Sequence, residues 1–324
     1  MNSTPDTCFR NLFWISLANH MNELSLPPHL PSLLTSQFPR WWFVHWQVSL
    51  YKAQQGHFEE ALSALQPYLA SPECCELQAS LLFTQKRTEE LVCLSHTTKR
   101  LHPSSLAACF VAATSLHLQG LFQQAAELYQ HVVRQNPHHS LAWGLLGQLF
   151  LEHGRSSQAI HALLNALRCN PRDFQSLYHL GLLHELLHAP TIARHYYQQA
   201  IRLRPYDAQL RSAMGEAALA CDDMQCAVEC FLLAETLGDT EGGSSRRLGQ
   251  LYRKMGDLEK AAYFDRRYLQ KKKFVISDDD TYLPAIALCK YYKERKQFRE
   301  FRRICDALLA ANDEVGGDWR ECEK

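Results

Sequence analysis

In residues 139–173 the apolar positions fall at intervals of three and four: Trp143, Leu146, Gly147 and Phe150, and then, beyond Gly154, Ala159, Leu163 and Ala166 before Pro171. That spacing places them on one face of each of two successive helices, with a turn at the glycine and a stop at the proline. The same residue types return 34 positions away in either direction. Alanine stands at Ala125, Ala159, Ala193, Ala227 and Ala261, glycine at Gly147, Gly181, Gly215 and Gly249, and proline at Pro103, Pro137, Pro171 and Pro205. Bulky residues keep the same frame, Leu146, Leu180, Met214 and Leu248 on the first helix and Tyr129, Leu163, Tyr197 and Phe231 on the second. The pattern predicts paired helices in which a small residue lets the partner approach and a large one fills the gap. Gly120, Gly154 and Gly256 fall where the first helix must stop, a position that favours positive φ. One pair leaves its apolar face uncovered, so pairs must stack on their neighbours.

The motif W-x-x-L-G-x-x-F…G…A…L-x-x-A…P, carried by Trp143, Leu146, Gly147, Phe150, Gly154, Ala159, Ala166 and Pro171, resembles the tetratricopeptide repeat, whose period is about 34 residues. The expected fold is all-α, a tetratricopeptide-repeat superhelix, that is, an α-solenoid of antiparallel helix pairs. Five regular units are read at 106–139, 140–173, 174–207, 208–241 and 242–270. Degenerate repeats precede them at 42–105, after an N-terminal helical segment at 1–41. The run "KKKFVISDDDTYLP" breaks the frame and predicts a loop at 271–281. A C-terminal helix pair follows at 282–312, with Phe301 where alanine is expected, and then a tail at 313–324.

Composition narrows the function. Lysine plus arginine balance aspartate plus glutamate at 34 each, so no net field draws nucleic acid or anionic lipid to the whole surface. Basic stretches at Arg246-Arg247, Arg266-Arg267, Lys271–Lys273 and Arg302-Arg303 lack the interleaved exposed aromatics of a nucleic-acid platform, and acidic residues are mixed among them. No apolar run reaches the roughly 18 residues of a membrane span. The N-terminus lacks the layout of a secretory signal, so the 12 cysteines are expected to be reduced, and Cys221, Cys226 and Cys230 suit helix packing better than a zinc ribbon.

Residues 184–188, "HELLH", fit the H-E-x-x-H signature of zinc metallopeptidases. The repeat frame explains both histidines otherwise: His184 takes the large position of Phe150 and Tyr252, and His188 the turn position of Gly154 and Gly256. No third ligand is placed by any motif, so no metal, cofactor or catalytic residue is expected. Function therefore means binding. The groove-facing positions in the frame include Gln148, Glu152, Gln175, Tyr178, Glu185, Gln209 and Glu216, a polar and acidic lining that suits a basic peptide segment, its arginines pairing with carboxylates or lying on Tyr178. The lysine, arginine and asparagine clamp of chaperone-binding repeats is missing, since its positions hold Gly144, Gln148, His179, Gln209 and Ala213.

Longer stretches carry a narrower likeness. "NPRDFQSLYHLGLLHELLHAP", "YYQQAIRLRPYD", "MGEAA", "CFLLAETLGDTE" and "LAWGLLGQLFLEHG" resemble the central repeats of the subunit-eight family of the anaphase-promoting complex, and the likeness runs from about Leu12 to Ala311. It implies a non-catalytic scaffold of a cullin-RING-type ubiquitin ligase acting in cell-cycle control, in the nucleus and cytoplasm. Its partners would be sibling tetratricopeptide subunits and the basic N-terminal segment of a coactivator. Copies in that family pair through an N-terminal repeat array that this chain is expected to lack, so the likeness leaves homodimerisation open. His184 and Leu177 also replace aromatics of the family. The alternatives are the sibling repeat subunits three and six of the same complex, then a tetratricopeptide adaptor outside it, and last a zinc peptidase.

Overall fold

The structure is a computed structural model and describes residues 12–16, 19, 30–239, 242–273, 275 and 279–315. Among the described residues there is no strand. The chain is all-α, with helices α1 (Leu30–Gln37), α2 (Trp42–Gln54), α3 (Phe58–Leu65), α4 (Pro72–Thr84), α5 (Thr88–Leu101), α6 (Leu106–Leu118), α7 (Phe122–Gln135), α8 (Ser140–Glu152) and α9 (Ser156–Cys169). They continue as α10 (Phe174–Leu186), α11 (Pro190–Leu203), α12 (Ala208–Ala220), α13 (Met224–Thr236), α14 (Gly243–Lys254), α15 (Leu258–Lys271), α16 (Asp279–Glu294) and α17 (Phe298–Val315). A 3-10 turn, Gln66–Tyr68, follows α3. Much of the segment expected at 1–41, the centre of the 271–281 loop and most of the 313–324 tail lie outside the described residues.

The chain divides into two compact units, residues 1–183 and 184–324. In the first, α6 packs on α7 and α8 on α9, around a core that includes Phe110, Tyr129, Leu146, Leu149 and Ala159. In the second, α12 packs on α13, α14 on α15 and α16 on α17, with Phe231, Leu248, Tyr252 and Phe264 in one cluster and Leu269, Leu288, Tyr292 and Ile304 in another. The expected architecture of stacked helix pairs is thus present in each unit.

The turn inside each pair is built the same way. The Gly154 amide donates to Leu151 O at 3.0 Å and the Arg155 amide to Phe150 O at 2.9 Å, while Gly154 sits at φ 70°. This pair of bonds satisfies the last carbonyls of α8 and requires a left-handed residue. The same arrangement recurs at Gly120 and Gly256, but also at Lys86, His188, Asp222 and Lys296, which hold φ between 54° and 60° without the freedom of glycine. Two of the second helices, α13 and α15, start on a polar cap: the Asp223 side chain accepts from the Cys226 amide and Asp257 from the Lys260 amide.

The small and large positions meet as the pattern requires. A Cβ on Gly147 would lie 2.6 Å from Leu163 Cγ, and one on Gly215 would lie 2.7 Å from Phe231 Cζ. At the third glycine the large residue is absent. Asp265 stands there instead, 1% exposed, and a Cβ on Gly249 would collide with its Oδ1. The Arg253 guanidinium pairs with Oδ2, whereas Oδ1 is buried without a hydrogen bond. Burial outweighs the arginine and pushes the Asp265 carboxyl up to about 7.

Candidate protein-binding site

Four of the residues expected to face a groove lie in the first unit. Gln148 and Glu152 are one turn apart on α8, and the Gln148 amide donates to Glu152 Oε1 at 2.9 Å. The other carboxylate oxygen is 2.9 Å from Nε2 of His117, a buried residue of α6. This bond from His117 is the main reason that the Glu152 carboxyl is held below the usual carboxylate range. His179, on α10, is also close enough to feel Glu152, yet burial dominates there and pushes its imidazole down to about 4. A neutral histidine is thus kept beside the His117–Glu152 pair. Tyr178 is half-buried, its ring centre 5.7 Å from that of His179.

Gln175 occupies the start of α10, where its backbone amide donates to Asp173 Oδ1 at 3.2 Å. Gln209 repeats this in the second unit, its amide donating to Asp207 Oδ1 at 2.9 Å. Both glutamines therefore mark helix N-termini, capped by an aspartate two residues earlier, and stand a turn or more before the carboxylates of their own helices.

The second unit also holds Glu185 and Glu216, which the fold brings together. They line a cavity of ≈ 410 Å³ with His188, Pro190 and Ala220. Glu185 Oε1 is buried without a hydrogen bond. Burial first, and then the Glu216 charge, raise the Glu185 carboxyl above its ordinary range, while the Tyr197 hydroxyl against it works in the other direction. Glu216 has its own counter-ion, with Arg247 Nε on α14 at 2.6 Å from Oε1. Two of the acidic residues named from the sequence thus have partners within the chain: His117 hydrogen-bonds Glu152, and Arg247 is the counter-ion of Glu216. The sequence reading missed both partners. A signal was available, because each lies about one repeat from its glutamate, where the first helices of neighbouring units touch.

The H-E-x-x-H stretch does not form a metal-binding face. His184 is on α10 and stacks on Tyr196 at 5.5 Å with 12° between the rings, while His188 is past the end of that helix, in the left-handed turn at φ 54°. The helical register that would align two imidazoles is broken between them. Among the described residues no group of three or more histidine, cysteine, aspartate or glutamate side chains could hold a metal ion. No helix among them is long and apolar enough to cross a membrane.

Paired helices of this length, turn and small-to-large register define a tetratricopeptide-type helical solenoid, a fold typical of non-catalytic scaffolds and adaptors that bind other proteins. Comparison with known proteins agrees: residues 110–172 and 146–208 match the family model described as tetratricopeptide repeat. The chain is 27% identical over 157 residues to the BBSome complex member BBS4 of Xenopus tropicalis, covering 48% of this chain and 30% of that one. It is 28% identical over 139 residues to the protein CTR9 homolog of Arabidopsis thaliana, covering 42% of this chain and 13% of the relative. The matched part thus spans less than a third of the length of either relative. Among solved structures, the crystal structure of the APC/C hetero-tetramer Cut9-Hcn1 is similar with a TM-score of 0.70 at 19% identity, over 98% of this chain and 62% of that chain. Pseudomonas aeruginosa pilF is similar with a TM-score of 0.50 at 16% identity, over 78% of this chain and 97% of that chain.

Proposed function

We propose that this chain is a non-catalytic scaffold subunit of an anaphase-promoting-complex type of ubiquitin ligase, present in nucleus and cytoplasm, that binds sibling repeat subunits and a basic segment of a coactivator. The observation that carries the binding half of this reading is Glu185. Its carboxyl faces a cavity beside a second carboxylate and keeps one buried oxygen unbonded. A guanidinium or ammonium group entering that cavity would supply the missing bond and relieve the repulsion from Glu216. The assembly half rests on the stretches that resemble the subunit-eight family and on the fold shared with the APC/C Cut9-Hcn1 structure along nearly the whole chain.

A second reading is favoured by the sequence relatives, which are a BBSome member and a CTR9 homolog: an adaptor in a different assembly that uses the same surface. Affinity capture of the tagged full chain followed by mass spectrometry separates the two. A cullin-like and a RING subunit among the captured proteins supports the ligase, whereas BBSome subunits or the companions of a CTR9 protein would replace it. For the site, an arginine-containing basic peptide should bind the wild-type chain at least tenfold more tightly than Glu185→Lys, and equal affinities would count against Glu185.

A further inference from the structure

The last helix pair departs from the others in chemistry and keeps their geometry. In the pairs before it, the closest approach of two helices joins residues 16 apart, Gly147 to Leu163, Gly215 to Phe231 and Gly249 to Asp265, and the left-handed turn comes seven residues after the glycine. In α16–α17 the left-handed turn residue is Lys296, whose amide donates to Lys293 O, while the Gln297 amide donates to Tyr292 O. Counting back from it puts Cys289 at the small position, and counting on by 16 puts Cys305 at the large one. Their sulfurs lie 3.8 Å apart. The register that elsewhere sets a glycine against a bulky side chain here sets thiol against thiol.

We propose that Cys289 and Cys305 are an oxidation-sensitive pair that a peroxide converts to a disulfide, fastening α16 to α17. A disulfide needs a sulfur separation of about 2.05 Å, so the two must close by a little under 2 Å, and both side chains occupy the register positions at which the helices of the earlier pairs meet. Each cysteine is half-buried, open to a small oxidant. The other clustered thiols are poorer candidates. Cys74 and Cys75 are buried and pushed up to about 11, and Cys230 is buried and pushed up to about 12, so none of these supplies a thiolate readily.

The chemistry balances with a peroxide as oxidant. The thiolate of one cysteine attacks a peroxide oxygen and breaks the O–O bond, giving a sulfenic acid and, after proton uptake, water. The second thiol attacks the sulfenic sulfur, forming the S–S bond and releasing the hydroxyl as a second water with the proton it gives up. Two thiols lose two electrons and the peroxide gains them. Reduced thiols remain the resting state, and a dithiol reductant restores it.

The test uses the intact chain and hydrogen peroxide, raised until the exposed Cys93 is oxidised, followed by alkylation and tryptic digestion without reduction. The expected product is the peptide 274–290 joined to 304–320, with both thiols lost to alkylation and regained after dithiothreitol. Cys289→Ser and Cys305→Ser should each remove the linked peptide and leave the surviving cysteine trappable as sulfenic acid, with the helical circular dichroism unchanged. Full alkylation of both cysteines after that exposure, or pairing of either with any other cysteine, overturns the proposal.

Discussion

Gly147 and Leu163 are in such close apposition that one added methyl group on the glycine would sit 2.6 Å from the Leu163 Cγ and 3.2 Å from its backbone nitrogen. The backbone contact cannot be relieved by turning a side chain. Gly147→Val should therefore cost about 1–3 kcal/mol through overpacking, read as a lower urea midpoint. One turn earlier on the same helix, a Cβ on Gly144 would meet nothing nearer than Ser176 Oγ at 3.4 Å. Gly144→Ala should be neutral or gain up to roughly 1 kcal/mol from helix propensity alone. Equal effects at the two positions would contradict the interlock.

Asp265 makes the second unit sensitive to pH. Its carboxyl titrates near 7 in the folded chain and near its ordinary value of 3.8 when unfolded, so the folded state holds the proton over that interval. The stabilisation linked to this proton is complete below about pH 4 and disappears as pH rises through 7. Asp265→Asn should flatten the dependence of unfolding free energy on pH across this window, which denaturant titrations at pH 4.5 and 7.5 would show.

Lys86 occupies the left-handed turn position that Gly120 and Gly154 fill elsewhere, at φ 56°. An L-residue there costs about 1–2 kcal/mol against the right-handed form, while glycine loses about 0.5–1 kcal/mol in chain entropy. Lys86→Gly should raise stability by roughly 0.5–1 kcal/mol. Thermal unfolding of the variant beside Gly154→Lys, which should be destabilised, tests the two signs together.

The His117–Glu152 pair gives a fourth expectation. Truncation by Glu152→Ala strands a buried imidazole nitrogen and should cost about 1–3 kcal/mol, whereas Glu152→Gln keeps an acceptor and should cost less. Since the pair holds the Glu152 carboxyl low, its contribution is present above the usual carboxylate range and is lost as pH falls through the depressed value. The wild-type and Gln variants should therefore converge in acid.

The helix pairs were legible because Gly147, Ala159 and their counterparts can hardly be larger where backbones approach, so residue size alone transmits the register. The turns were legible where glycine marks them. At Lys86 and Asp222 the same backbone is imposed by the pair around it, and nothing in the local sequence announces it. Asp265 shows the limit in the core: a polar residue at a large position is intelligible only once Arg253 is seen beside it. At the candidate site the frame named Glu152, Glu185 and Glu216 but not their partners, since His117 and Arg247 reach them from the adjoining repeat. Gln175 and Gln209, one period apart, lie at helix starts, about two turns or more before Glu185 and Glu216 on the same helices.

Arg247 pairs with Glu216, one of the residues that line the Glu185 cavity. On the proposed reading, Arg247 is a built-in decoy cation, which a visiting basic segment would have to evict before the second carboxylate is available. That internal competition would set an admission threshold: lone charges would be turned away, while a segment with several contacts could meet the cost of displacement. Removing the decoy by Arg247→Ala would lower the threshold and make the cavity less selective.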